Sequence, residues 1–168
     1  FNNDSGAVTL TGGTTKKYTF YDLELAGPVT AGDDWTVIHK WTHTSGTFTP
    51  GTYTVILDPL TAPSRTAIIS GNTTFYNLSC TVTTGSTLAF TAGESFGVSH
   101  ALTLAGDKGN LLTIASSTGS IFTLNNTSAA TATFVNVSHC KAGTAGITAT
   151  NSIDSTGDNA NWTFGTID

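Results

Sequence analysis

Apolar and polar residues alternate along this chain in short runs, and Gly, Pro, Asp and Asn separate the runs at short intervals. A period of two residues is typical of β-strands that bury one side, whereas a helix would repeat its apolar positions every 3.6 residues. The clearest alternating runs are 18–25, 35–43, 53–57, 66–70, 75–82 and 111–115. The pattern therefore predicts an all-β chain with no substantial α-helix.

The chain also repeats itself. Residues 19–25 return in altered form as 74–80 and again as 133–139, and the copies extend over about 19–57, 74–115 and, partially, 133–164. A unit that recurs at long intervals cannot bury its apolar face alone and must stack on its neighbours. We therefore expect one domain over 13–168, a parallel β-helix (β-solenoid) of about five short rungs, preceded by a flexible arm at 1–12.

Several short motifs carry a family resemblance: Thr-Phe-x-Asn-Leu at 74–78, Thr-Ala-Gly at 91–93, Leu-Thr-Leu-x-Gly at 102–106 and Gly-Asn-Leu-Leu-Thr-Ile at 109–114. Over about 19–164 the chain resembles the repeat modules of large bacterial surface proteins. Those modules are similar to right-handed parallel β-helices of the pectate-lyase-like and filamentous-haemagglutinin-like kind. The first repeat departs from the pattern, since Trp41 and His43 stand where the modules have Leu.

The composition indicates where the protein acts and which partners it disfavours. Of 168 residues, 38% are hydrophobic and only 10% are charged, against about a quarter charged in a typical domain. Thr, a β-branched residue that favours strands, is abundant. We expect a secreted, extracellular protein of the cell surface.

The net charge of −5, with a single Arg among six basic residues, disfavours nucleic acid as a partner. No apolar run reaches the ~18 residues of a membrane span, so we expect no membrane insertion.

The ends of a short β-helix would expose unpaired strand edges, which can pair with another copy or with adjacent repeats of a longer chain. We therefore expect the protein to assemble with itself, end to end. Within the N-terminal arm, Phe1, Val8 and Leu10 are the candidate residues of an inter-subunit strand.

Two sets of residues have candidate structural roles. Asp22, Asn77 and Asn136 occupy one position of the repeated motif, where a ladder of such side chains would satisfy buried backbone groups. Cys80 and Cys140 could form a disulfide in an exported chain. However, Cys140 stands one residue beyond the position that corresponds to Cys80, so separate packing is the alternative.

Candidate chemistry is sparse. The 11 acidic residues are scattered, and the lone Arg65 has no acidic neighbour in sequence, so we expect no enzyme, no catalytic residue and no cofactor. His39, His43, His100 and His139 could suggest a metal site. Residues four apart in a strand lie ~13 Å apart, too far for one ion, so turn or core-edge positions are the preferred interpretation.

Two binding alternatives remain open. Trp35, Trp41 and Tyr53 could stack on sugar rings, although the two Trp residues share strand parity with Val37, which favours the core. Thr-x-Thr pairs, such as those at 131/133 and 148/150, resemble the flat arrays of ice-binding solenoids, but they are not in register with the long repeat. The main prediction is a non-enzymatic structural solenoid of a surface filament or adhesin. The alternatives are a carbohydrate-binding or carbohydrate-active module and, third, an ice-binding protein.

Overall fold

The computed structural model describes residues 8–10 and 18–165, and these form an all-β structure. Two single-turn 3₁₀ helices, Pro59–Thr61 and Pro63–Arg65, are the only helices in these ranges. The strands are β1 (Val8–Leu10), β2 (Tyr18–Ala26), β3 (Val29–Ala31), β4 (Trp35–Ser45), β5 (Phe48–Thr49), β6 (Thr54–Leu57), β7 (Thr66–Ser70), β8 (Thr73–Thr81), β9 (Ser86–Phe90), β10 (Ser95–Ala105), β11 (Leu112–Ser116), β12 (Phe122–Asn126), β13 (Ala130–Thr133), β14 (Val135–Val137), β15 (Cys140–Ala142), β16 (Ile147–Thr150), β17 (Ile153–Asp154) and β18 (Trp162–Phe164).

All pairings between these strands are parallel, and they arrange the chain as a three-faced β-solenoid. The face that we call the threonine face stacks 18–20, 35–37, β6, 77–81, 101–105, β13, β16 and β18. The second face stacks 22–25, 40–43, β7, β9, β11, β14 and β17. The third face holds β1, β3, β5, 73–75, 95–98, β12 and β15.

The chain visits the third, threonine and second faces in that order, so the described residues make seven turns followed by β18. About five turns were expected. The difference has two causes. The strands β2, β4, β8 and β10 each bend at a corner and contribute to two faces, whereas the sequence pattern shows β2 and β4 as single strands. The pattern also gives no strand at 29–31, 48–49 or 95–98, which belong to β3, β5 and β10. The predicted fold class, a single parallel β-helix without substantial helix, is confirmed.

Alternation along each strand places one set of side chains in a continuous interior. Large aromatic residues fill it in two groups. In the first, the ring of Trp41 lies 5.1 Å from that of Phe48 and 5.0 Å from that of Phe75, centroid to centroid. In the second, Phe122 stacks on Phe90 at 4.7 Å. Offset and edge-on ring pairs add to the free energy gained from apolar burial, so these groups tie adjacent turns together.

Buried polar side chains lie at corners, where the strands end and backbone groups lose their ladder partners. Asn126 donates to the carbonyls of Ser128 and Gly146 and accepts from the N–H of Gly143. Asn159 donates to the carbonyl of Val137 and accepts from the N–H of Cys140. Buried backbone groups need such partners, and at these two corners the Asn side chains supply them.

The repeated motif marks corners and not one fixed place in the stack. Its first copy bends from the threonine face to the second face between Phe20 and Asp22, and the third copy bends at the same corner near Phe134. The second copy bends from the third face to the threonine face between Phe75 and Asn77. The spacing between the first two copies is therefore not a whole number of turns.

Candidate functional site

The outward side of the threonine face carries one row of side chains in register through eight successive strands. Each member pairs with the next through the parallel ladder. The row is Thr19, Thr36, Ile56, Ser79, Thr103, Thr131, Thr148 and Thr163. Seven of its eight members carry a hydroxyl group, and seven carry a methyl group on a branched Cβ. The face therefore presents a Thr side chain at six of its eight strands, with Ile56 and Ser79 as the exceptions.

A second outward row runs beside the first, two residues further along each strand. Its members in the later turns are Thr81, Ala105, Thr133 and Thr150, each paired with the next. Adjacent strands lie ~4.8 Å apart and residues i and i+2 lie ~6.8 Å apart. The two rows therefore form a two-dimensional grid, and the first row alone extends over ~34 Å.

The part of this grid from Thr103 to Thr163 faces solvent. Thr103, Thr131, Thr148 and Thr163 are all exposed, and their hydroxyl groups form no hydrogen bond with any protein group in the described ranges. From Ser79 onward the two rows hold only Ser, Thr and Ala. The surface is consequently uncharged, with Ala105 and Thr133 half-buried and the Thr150 hydroxyl donated to the carbonyl of Ala132.

Sequence reasoning missed this grid because it compared the Thr-x-Thr pairs with the long repeat. The useful signal is a shorter one, a triplet in which an apolar residue stands on each side of the outward residue. On this face it occurs at 18–20, 35–37, 102–104, 130–132, 147–149 and 162–164 with Thr in the middle, and at 55–57 and 78–80 with Ile and Ser. Its spacing on this face varies with corner length, from 15 residues before Thr163 to 28 before Thr131, which hides it from a search at fixed period. The same triplet with Thr in the middle also occurs at 29–31, 112–114 and 122–124 on the other two faces, so it does not by itself assign a Thr to one face.

The predicted structural ladder of Asp22, Asn77 and Asn136 is not continuous. The three residues lie in the first, fourth and sixth turns, and each bonds to the following turn instead of to another member. Asp22 Oδ1 lies 2.7 Å from His39 Nδ1, Asn77 Oδ1 accepts from the N–H of Ala101 at 3.2 Å, and Asn136 accepts from the Ser155 hydroxyl. Their roles are local bridges at corners.

The four histidines take turn or core-edge positions, as expected. His39 bonds to Asp22, and His139 Nδ1 lies 2.7 Å from Asp158 Oδ2. The ring of His100 stacks on Tyr76, with centroids 4.7 Å apart. His43 Nδ1 lies 3.1 Å from the carbonyl oxygen of Asn72. Among the described residues, no three His, Cys, Asp or Glu side chains gather closely enough to hold a metal ion.

The aromatic residues considered for sugar contact are mostly in the interior. Trp35 and Trp41 are both fully buried, and only Tyr53 is partly exposed. Strand parity had favoured the core for the two Trp residues, and that interpretation is confirmed. A sugar platform made of these three side chains is therefore ruled out by their burial.

Cys80 and Cys140 are free and buried, so the structure contains separate packing and no disulfide between them. Cys80 pairs with Leu104 on the threonine face, whereas Cys140 pairs with Phe122 on the third face. Burial raises the pKa of each thiol to about 12, which makes both poor nucleophiles because the reactive form is the thiolate.

Part of the predicted assembly arm lies within the described residues. Val8 and Leu10 belong to β1, which pairs with the chain's own β3, Val8 beside Val29 and Leu10 beside Ala31. Phe1 lies outside the described residues. Pairing of this segment with another subunit stays a prediction.

Searches of protein-family models, curated proteins and solved structures find no match to this chain. In the ranges 8–10 and 18–165, no helix is long and apolar enough to span a membrane. The fold and the threonine face therefore carry the functional argument.

Proposed function

We propose that the chain is a non-enzymatic structural β-solenoid of the cell surface, either a subunit of an extracellular filament or one segment of an adhesin. The observation that carries the proposal is the unbroken parallel register of the threonine face through eight strands. Each turn presents nearly the same edge to the next, an outward hydroxyl between two inward apolar residues. A turn from another copy, or from adjacent repeats, would meet the same edge.

The backbone of β18 supports end-to-end stacking. In parallel pairing, the N–H groups of successive residues point to opposite edges of a strand. Gly165 donates its N–H to the carbonyl of Ala149 at 2.7 Å, so the N–H of Phe164 points away from β16. A strand laid on that edge would extend the ladder, and contacts of this head-to-tail kind generate open fibres.

The low charge and abundant Thr support the extracellular setting. A surface with few charges and many strand-favouring residues suits contacts made through β-ladders. Self-association through these edges needs no ligand, cofactor or chemical step. The proposed partners are further copies of the chain or adjacent repeats of a longer one.

Electron microscopy over a concentration series, combined with mass from light scattering, tests the proposal. We expect regular fibres whose axial repeat is close to the height of one stack. Phe164→Pro removes the N–H that points away from β16, and Phe164→Ala is the matched control because it keeps that N–H while removing the ring. Fibres from the Ala variant but not from the Pro variant support stacking, and monomers at every concentration in the parent protein would overturn it.

A further inference from the structure

We infer that the threonine face is an ice-binding surface. This inference goes beyond the structural role and does not depend on end-to-end stacking, because the grid lies along the side of the solenoid. It rests on three properties of the face: its spacing, its chemistry and its rigidity.

The spacing between turns and the spacing along each strand are both close to repeat distances of the ice lattice. Turns stack ~4.8 Å apart and outward residues of one strand repeat every ~6.8 Å. The oxygen positions of hexagonal ice repeat at comparable distances in its basal and prism planes. Thr131 and Thr133 together with Thr148 and Thr150 form one complete cell of this grid, with Thr131 paired to Thr148 and Thr133 to Thr150.

The chemistry suits ordered water. Each Thr offers a methyl group, around which water orders, and a hydroxyl that can join a hydrogen-bonded lattice as donor and acceptor. The hydroxyls of Thr103, Thr131, Thr148 and Thr163 make no bond to protein in the described structure, so they are available to water. Many such contacts in register would be individually weak and collectively strong.

The rigidity of the threonine face lowers the conformational entropy that would be lost on binding to ice. Thr is branched at Cβ and restricted at χ1, and each strand of the face is held in the ladder on one or both sides. Side chains that are already ordered lose little conformational entropy on binding. A flexible Lys or Glu would lose more, and the grid from Ser79 to Thr163 holds neither.

A sugar lattice fits the face less well. Recognition of pyranose rings relies on exposed aromatic platforms and directional polar groups, whereas the outward positions from Ser79 to Thr163 carry only Ser, Thr and Ala. The exposed aromatic side chain of Tyr21 stands at a corner beside His39. Ice therefore suits the grid better than crystalline chitin or cellulose.

Thermal hysteresis and the shape of single ice crystals grown in solutions of the full chain test the inference. We expect a gap between melting and freezing points and faceted crystals. Thr131→Lys places a long charged side chain at the centre of the grid, and the gap should fall about tenfold, since a charge pressed against a lattice that cannot solvate it is costly. Circular dichroism melting curves establish that each variant is folded.

The matched control is Thr74→Lys, an exposed outward Thr of β8 on the third face, which should leave the gap unchanged. Round crystals and no gap in the parent protein would overturn the inference. Equal decreases in thermal hysteresis in the Thr131→Lys and Thr74→Lys variants would also overturn the inference, because the effect would then not be specific to the threonine face. Sedimentation with crystalline chitin or cellulose, without any effect on ice, would overturn it in favour of a polysaccharide surface.

Discussion

Gly71 lies directly against His43 of an earlier turn. A Cβ built on Gly71 would stand 1.9 Å from the carbonyl oxygen of His43, and Gly71 has a φ of +83°. Gly46 makes a similar approach one turn earlier, where a Cβ would lie 2.2 Å from the carbonyl carbon of Gly27. At this corner, between the second and third faces, the backbones of successive turns touch with no room for a side chain.

We predict that Gly71→Ala strongly destabilises the solenoid. The left-handed conformation alone costs about 1–2 kcal/mol for a residue with a Cβ. The clash with the His43 carbonyl adds to this cost, because backbone atoms of a packed stack cannot move aside cheaply. The free energy of unfolding, measured by urea titration, should therefore fall by clearly more than the conformational term.

Gly157→Ala is the matched control. Gly157 has a φ of +70°, but a Cβ there would meet nothing within 4 Å, so only the conformational cost of about 1–2 kcal/mol applies. If the two variants lost equal stability, the contact between turns would have no energetic weight and the close-packed corner would be refuted.

A second prediction concerns the interior. Phe122 is fully buried, and its ring stacks on Phe90 and lies 6.5 Å from Phe96. Phe122→Ala leaves a cavity in the middle of the stack and should cost about 3–5 kcal/mol. The neighbouring Ile121 is 45% exposed, so Ile121→Ala should change the unfolding free energy by no more than about 0.5 kcal/mol. Comparable losses of unfolding free energy in the two variants would contradict the assignment of Phe122 to the inward side and Ile121 to the outward side.

The sequence predicts the fold class well because the signals that define it are local. Alternation separates inward Trp35, Val37 and Trp41 from their neighbours, and the recurring motif requires stacking. The number of turns is harder to predict, since β4 reads as one strand but pairs with β6 on one face and β7 on another. A bend at a corner leaves the alternation almost unchanged.

The threonine face could not be found by aligning the long repeats. Those copies align residues of the same corner chemistry, such as Asp22 and Asn77, although the two stand at different corners. Register between strands depends on corner lengths, and these vary because loops tolerate insertions. The strand pairing itself shows that the Thr residues meet, as when Thr103 pairs with Thr131 across a 28-residue turn and Thr131 pairs with Thr148 across 17 residues.

A third prediction is that both cysteines resist thiol reagents in the folded protein. Burial raises the pKa of Cys80 and of Cys140 to about 12, so very little thiolate exists at pH 8. Labelling with a chromogenic disulfide reagent should be negligible in native buffer and should reach two thiols per chain in denaturant. A single fast thiol in native buffer would show that one cysteine is accessible. No thiols in denaturant would show that the two are bridged.

The fourth prediction concerns acid stability. The pKa of Asp158 lies below its usual range because the Thr156 hydroxyl and the His139 ring hydrogen-bond to its carboxylate. A carboxyl group with a depressed pKa in the folded state binds protons less readily there than in the unfolded chain. It therefore stabilises the fold at pH values above about 3.9, the usual value for Asp, and this contribution is lost as the pH falls through the folded pKa.

Asp158→Asn removes that titration, so the urea midpoint of the variant should fall less steeply than that of the parent protein as the pH is lowered from about 4. Asp107→Asn removes one negative charge from an exposed loop and serves as the control for net charge.

A carbon-detected NMR titration of the Asp158 carboxyl should place its pKa below the ordinary Asp range. An ordinary pKa, or identical acid slopes in parent and Asp158→Asn proteins, would mean that the bonds from Thr156 and His139 do not persist in solution. The corner loop of the last turn would then be held mainly by the bonds of Asn159 to the carbonyl of Val137 and the N–H of Cys140.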